Sequence, residues 1–220
     1  MIEPFQNRTE AGRALALALA NFKNTGAVTL AIPRGGVVVA YEVAVSLSLD
    51  MDVIVPRKIP APFQEELAIG AVASWGDPEP LMDSRSVACL AVGNDYIERQ
   101  ARVQIEEINR RLMLYRGSTE PPPIAGRNVL LIDDGIATGY TTRAAALALR
   151  RLGARRIVLA VPVGPPDSVA AMGSVVDTVV CLRTPDPFMA VGYWYRDFRQ
   201  VQDGEVIELL SRAASRRASD

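Results

Sequence analysis

The chain has 220 residues, 24 Lys and Arg against 25 Asp and Glu, and no histidine. Near-balanced charge argues against a dominant nucleic-acid or polyanion surface, and the missing imidazole excludes every mechanism that needs a histidine base, shuttle or metal ligand. The length suits one good-sized core, so a single domain over 1–220 is expected.

The first twenty residues hold an acid and a proline and no basic n-region, so no signal peptide is expected. The stretch RALALALANF is too short and too interrupted to span a membrane. Cys89 and Cys181 lack metal spacing and sit in apolar strings, so both are expected to be buried, reduced thiols in a cytoplasmic protein.

Asn7 to Asn21 reads as a helix, GAVTLAIP as a buried strand, Gly36 to Leu47 as a helix and MDVIVPRK as the next strand. LAIGAVASW follows as a third strand. From Asp95 to Tyr115 the residues Ile97, Ala101, Ile105, Ile108, Leu112 and Tyr115 step by three or four and share one face of an amphipathic helix. Glu98–Arg102, Glu106–Arg110 and Glu107–Arg111 supply i,i+4 pairs on the solvated side. The connector GSTEPPPIAG leads into a fourth strand, NVLLIDD. A helix from about Thr141 to Leu152 ends at Gly153, a C′ glycine. RRIVLAVPV and VDTVVCL are a fifth and a sixth strand. Strands apolar on both faces, alternating with helices, mean an α/β fold with a parallel sheet covered on both sides. The core is expected over about 7–182. The prolines and aromatics of RTPDPFMAVGYWYRDFRQV break the rhythm, giving a cap or hood and a helix over about 183–213 and a frayed tail over 214–220.

NVLLIDDGIATGYTT carries the chemistry. In an open parallel sheet, ligands sit beyond the carboxyl ends of the strands. Asp133 and Asp134 fall there, and their carboxylates suit vicinal hydroxyls or a divalent cation. Small residues then enter a helix, so backbone N–H groups can crowd an anion in the favourable field of the helix N-terminus. Thr138, Thr141 and Thr142 can add hydroxyl donors. A sugar with hydroxyls and a phosphate, such as ribose 5-phosphate, satisfies both halves. The loop is neither a Walker A loop nor a dinucleotide fingerprint.

VLLIDDGIATGYT resembles the phosphoribosyl pyrophosphate (PRPP) motif of the type I phosphoribosyltransferases. The resemblance implies a Rossmann-like core of parallel strands under a mobile hood, and an enzyme that moves ribose 5-phosphate from PRPP to a nitrogen acceptor. It implies that Asp133 and Asp134 hold the ribose hydroxyls, partly through Mg²⁺. It also implies that Gly135, Ala137, Thr138, Gly139, Tyr140 and Thr141 bind PRPP, with Ala137 to Thr141 around the 5′-phosphate. LAIPRGGVVVA resembles the family's pyrophosphate loop. Arg34 offers a fork of donors, Gly35 and Gly36 allow close backbone approach, and the Pro33–Arg34 peptide is expected to be cis or otherwise strained. In VPRKIPAPFQEELAIGAVA, residues 57–67 sit where the family has a flexible loop. Lys58 and Arg57 are placed to approach the pyrophosphate, and Glu65 or Glu66 to face the acceptor.

Nearly the full length resembles a bacterial and archaeal group of predicted phosphoribosyltransferases, which share a K…P…ELAIGAVA segment and an ending like AVGYWYRDFRQV. Where 6-oxopurine enzymes carry an aspartate, this chain has Ala137, and RRIVLAVPVG lacks their lysine. Phe188, Tyr193, Trp194 and Tyr195 could give a base a flat face. A PRPP or nucleotide sensor, and a hydrolase acting on the same ligands, are the alternatives. No nucleic-acid or membrane partner is expected. A homodimer is possible within the family.

Overall fold

The computed structural model describes residues 3–75 and 80–217, with the side chains of Glu65, Glu66 and Arg217 outside that description. In chain order its elements are α1 (Arg8–Ala18), β1 (Val28–Ala31), α2 (Gly35–Leu47), β2 (Asp50–Val53), β3 (Pro56–Ala61), β4 (Gln64–Ala73), β5 (Leu81–Met82) and α3 (Ser84–Cys89). They continue with α4 (Asn94–Arg116), β6 (Asn128–Ile132), α5 (Tyr140–Arg151), β7 (Arg156–Val163), α6 (Pro166–Met172), β8 (Thr178–Arg183) and α7 (Asp203–Arg217).

Five strands form a sheet in the order β2-β1-β6-β7-β8, and every pairing in it is parallel. Alternation along each strand divides the core. Leu130, Ile132, Val158 and Ala160 face α1, α2, α4 and α7 through Leu15, Val43, Leu112 and Val206. Val129, Leu131, Ile157 and Leu159 face α5 through Ala145 and Leu149. Burying both faces is what makes these strands continuous apolar runs. The chain leaves β1 toward β2 on one side and returns as β6 on the other. A crevice therefore opens beyond the carboxyl ends of β1 and β6.

The expected third strand lies elsewhere. β3, β4 and β5 form a separate antiparallel sheet, so residues 57–67, expected as a loop, are mostly a hairpin. Period-two burial explains it. Ile59 and Ala61 are buried while Lys58, before them on the opposite face, is exposed, and the buried face packs on Ile69 and on Ala101 of α4. Phe63 turns the hairpin at φ 62°, with its ring fully exposed.

The α4 face is as expected, with Gln104 also buried on it. One ion pair differs. Arg110 bonds Glu107, at 2.7 and 3.0 Å, rather than Glu106, and Arg111 Nε donates to the same carboxylate at 2.7 Å. Cys89 is exposed, against expectation, because it ends the short surface helix α3. Cys181 is partly buried, and desolvation pushes its thiol up to about 11. α7 runs to Arg217, beyond the expected start of the tail, and residues 218–220 lie outside the described residues. Among the described residues no helix is long and apolar enough to cross a membrane.

Hydrogen bonds from Arg110, opposed by partial burial and reinforced by Arg111, pull the Glu107 carboxyl from 4.5 down to about 2. A depressed folded-state value stabilises the fold above the unfolded value and is lost as pH falls. Glu107→Gln should cost about 1 kcal/mol in urea unfolding at neutral pH, a modest figure because the site is partly solvated. The difference from the parent should shrink between about pH 4.5 and about pH 2.

Candidate functional site

Asp133 and Asp134 follow the last residue of β6, at the mouth of the crevice. The Asp134 backbone N–H donates to Asp133 Oδ1 at 2.8 Å, turning the first carboxylate back over the second residue. Asp134 Oδ2 accepts from Arg8 Nε at 2.7 Å. Desolvation, then the charge of Asp134, raises the Asp133 carboxyl well above the ordinary range. Asp134 is also raised by desolvation, with the Arg8 guanidinium opposing.

Arg8 is 8% exposed and donates a second bond to the Arg199 carbonyl at 2.9 Å. Its guanidinium lies 3.9 Å from the centroid of the Phe198 ring. Tyr195 donates its hydroxyl to the Asp134 carbonyl at 2.6 Å. The acids are thus tied to the start of α1 and to the aromatic segment after β8. Arg8 carried no sequence signal, since it stands 126 residues from its partner.

Gly35 and Gly36 press against this pair. A Cβ at Gly35 would overlap Oδ2 of Asp134, and one at Gly36 would lie 2.9 Å from Cα of Asp133. The Pro33–Arg34 peptide is cis, as the resemblance implies. Arg34 is only partly withdrawn from solvent, and its guanidinium lies 3.6 Å from Asp203 at the start of α7. Asp203 also accepts from the Tyr115 hydroxyl at 2.5 Å, and burial followed by that bond pushes the phenol up to about 12.

The small-residue loop turns on two anchors. Ile136 is buried, and its N–H bonds Val163 O at 2.9 Å. Gly139 takes φ 77° just ahead of α5. Between them Ala137 and Thr138 are exposed. Gly135 must lack a side chain, because a Cβ would meet Val191 at 2.6 Å. Thr141 borders the crevice, whereas Thr142 is 1% exposed and is withdrawn from any ligand. The Tyr140 hydroxyl bonds Asp83, the N-cap of α3, and desolvation followed by that bond raises its pKa. Tyr140 therefore has its backbone N–H, rather than its phenol, to offer the loop.

A cavity of about 1040 Å³ runs from Pro33 and Thr141 out between β3 and α4. Arg57 and Lys58 line it, and Arg57 Nε donates to Gln104 Oε1 at 3.0 Å. Glu65 and Glu66 lie on β4, beyond the hairpin turn; their side chains fall outside the described residues. Phe188, Tyr193 and Trp194 do not line this cavity. Phe188 stacks on Trp194 at 6.5 Å, both pack against the cluster of Phe5, Val163 and Tyr195, and Tyr193 is 71% exposed. Phe188 and Trp194 are thus packed within the cap.

Among the described residues no group of three or more Asp, Glu, Cys or His could hold a metal. Two carboxylates, one already shared with Arg8, suit a Mg²⁺ ion that takes most of its oxygens from substrate and water.

The Arg8–Asp134 pair allows a direct check. Removing one partner of a buried pair leaves an uncompensated charge, at a cost of about 3–5 kcal/mol. Arg8→Met should lose about that much in urea denaturation, and Arg8→Met/Asp134→Leu should recover most of it. A double variant no more stable than the single would show that Arg8 stabilises through the aromatic cap instead.

The sequence profile of the phosphoribosyl transferase domain matches residues 3–193. Proteins of Mycobacterium tuberculosis strains CDC 1551 and H37Rv, provisionally named phosphoribosyl transferases, are 46% identical over 211 residues, 95% of this chain. The chain spans about half the length, 47%, of these curated relatives. The crystal structure of TT1426 from Thermus thermophilus is 39% identical and superposes with a TM-score of 0.80, covering 95% of this chain and 98% of that one. The chain belongs to the phosphoribosyl transferase family.

Proposed function

We propose that the chain transfers ribose 5-phosphate from PRPP to a nitrogen acceptor and releases diphosphate. The observation that carries this reading is the convergence of three elements at one switch point. The acids after β6, the small-residue loop entering α5, and the glycine turn carrying Arg34 all border the same crevice. Each matches one part of PRPP.

Asp133 and Asp134 accept hydrogen bonds from the ribose 2′- and 3′-hydroxyls. The loop from Gly135 to Thr141 presents backbone N–H groups and the Thr138 and Thr141 hydroxyls to the 5′-phosphate. Arg34 donates to the diphosphate, with Lys58 and Arg57 of β3 closing from the far side. Mg²⁺ held beside the acids would supply neutralisation of the diphosphate charge.

The acceptor nitrogen forms a bond to C1 as the C1–O bond breaks. The electron pair leaves with diphosphate, and any proton on the acceptor nitrogen is released. Positive charge builds on the ring in between, so the protein's contribution is orientation, charge stabilisation and exclusion of water. The exposed Ala137 puts no carboxylate at the loop tip, which makes a 6-oxopurine a poor acceptor. Glu65 or Glu66 remains the candidate to face the acceptor.

Isothermal titration with PRPP and Mg²⁺ tests the site. Asp133→Asn should weaken metal-dependent PRPP binding by about tenfold or more, as expected for losing a charge-assisted hydrogen bond. Thr138→Val should weaken PRPP and ribose 5-phosphate alike. A folded parent protein that binds neither ligand would overturn the reading.

A further inference from the structure

Arg34, the residue proposed to grip the diphosphate, already has an anion beside it. Its Nη1 lies 3.6 Å from Oδ1 of Asp203, close enough for attraction and too far for a hydrogen bond. Among the described residues the Arg34 side chain donates no hydrogen bond. Its charge is matched, yet its fork of donors is free.

The carboxylate is held in a way that keeps this pair loose. Asp203 opens α7, where an acid suits the helix N-terminus. That preference accounts for the acid and not for the direction of its oxygen. The same Oδ1 accepts from the hydroxyl of Tyr115, near the end of α4, at 2.5 Å. Tyr115 is 5% exposed. Burial followed by that bond pushes its phenol up to about 12, so at neutral pH it remains a donor. The charges of Arg110 and Arg111 also reach Asp203 and Tyr115, but both guanidinium groups are bonded to Glu107.

An arginine and a carboxylate pair most strongly when both oxygens meet the guanidinium fork. A carboxylate pinned through Oδ1 by a buried phenol cannot turn to offer both. A buried phenol needs some acceptor in any case. That need explains the bond, but not why the acceptor is the carboxylate beside Arg34.

We propose that Asp203 is a resident counterion that competes with diphosphate for Arg34, and that Tyr115 is a positioning residue that holds Asp203 back from closing on it. The inference rests on the proposed grip of Arg34 on diphosphate and adds how α4 and α7 set its strength. On binding, Arg34 gives up only a loose ion pair and gains hydrogen bonds to phosphate oxygens.

PRPP and ribose 5-phosphate, each with Mg²⁺, are titrated into the full chain and its variants. The ratio of the two affinities isolates the diphosphate, and Arg34→Gln should lower it. Tyr115→Phe keeps the ring and releases Asp203 onto Arg34. The ratio should fall about threefold or more, the scale of a partly solvated ion pair that must be broken. Asp203→Asn removes the competing charge and should raise the ratio. Tyr115→Phe/Asp203→Asn should regain at least the ratio of the parent. Ribose 5-phosphate affinity should be unchanged in the Tyr115 and Asp203 variants, which also shows that they fold.

An unchanged ratio in Tyr115→Phe would reduce the phenol to a satisfied buried donor and overturn the inference. A double variant as weak as Tyr115→Phe would do the same, since the hydroxyl would then act otherwise than through Asp203. A fall in Asp203→Asn would make the carboxylate a partner that Arg34 needs, not a competitor, and would also overturn it. An unchanged ratio in Arg34→Gln would remove Arg34 from the diphosphate site and the inference with it. A parent that binds neither ligand would overturn the proposed transfer itself.

Discussion

The site depends on how closely a bare backbone can approach two carboxylates. The Gly35–Gly36 turn lies so near Asp133 and Asp134 that any side chain at Gly35 would occupy the space of the Asp134 oxygen. That approach brings the loops after β1 and β6 into one crevice. It also explains the raised carboxyl of Asp133, since tight packing strips water from an acid that lies beside another acid. Strand order alone would create a crevice here; the missing side chains let its two loops close on each other.

A narrow acid crevice needs a counterion, and Arg8 supplies one from the far end of the chain. Its guanidinium bonds Asp134, caps a carbonyl of the segment before α7, and lies against Phe198. One side chain therefore links α1, β6 and the C-terminal cap. Tyr195 adds a second link, by bonding the Asp134 carbonyl. The cap aromatics then have a structural reason to exist: they form the apolar lid over a buried charge, where a low dielectric makes the Arg8–Asp134 bond stronger.

What the sequence revealed follows from range. The strand–acid–acid–loop stretch and the Pro33–Gly36 turn are contiguous, so their chemistry could be read directly, and the structure brings them together. The parallel core was legible because strands buried on both faces leave unbroken apolar runs. LAIGAVASW is also apolar, and composition could not say that its partner was the antiparallel β3 rather than the main sheet. Alternation of Ile59 and Ala61 was the available signal, and the three prolines at 56, 60 and 62 masked it. Arg8, Gln104, Arg111 and Asp203 were out of reach for another reason. Each meets the site through tertiary packing, and a lone polar residue in a helix reads as solvated surface unless its neighbours in space are known.

The two walls of the crevice carry opposite charge, and this separation constrains what can react there. Asp133 and Asp134 stand on the β6 side. Arg34, Arg57, Lys58 and Arg111 stand on the side of α2, β3 and α4. A ligand with hydroxyls at one end and an anion at the other is therefore oriented before any chemistry begins, because reversing it would set like charge against like. The hairpin matters for the same reason. Held by Ile59 and Ala61 on α4, it keeps Arg57 and Lys58 on the cavity wall at a defined depth. A free loop would have to order those cations on every encounter, at an entropic cost for each long side chain. Pairing β3 with β4 meets most of that cost during folding, so binding energy remains for positioning the substrate.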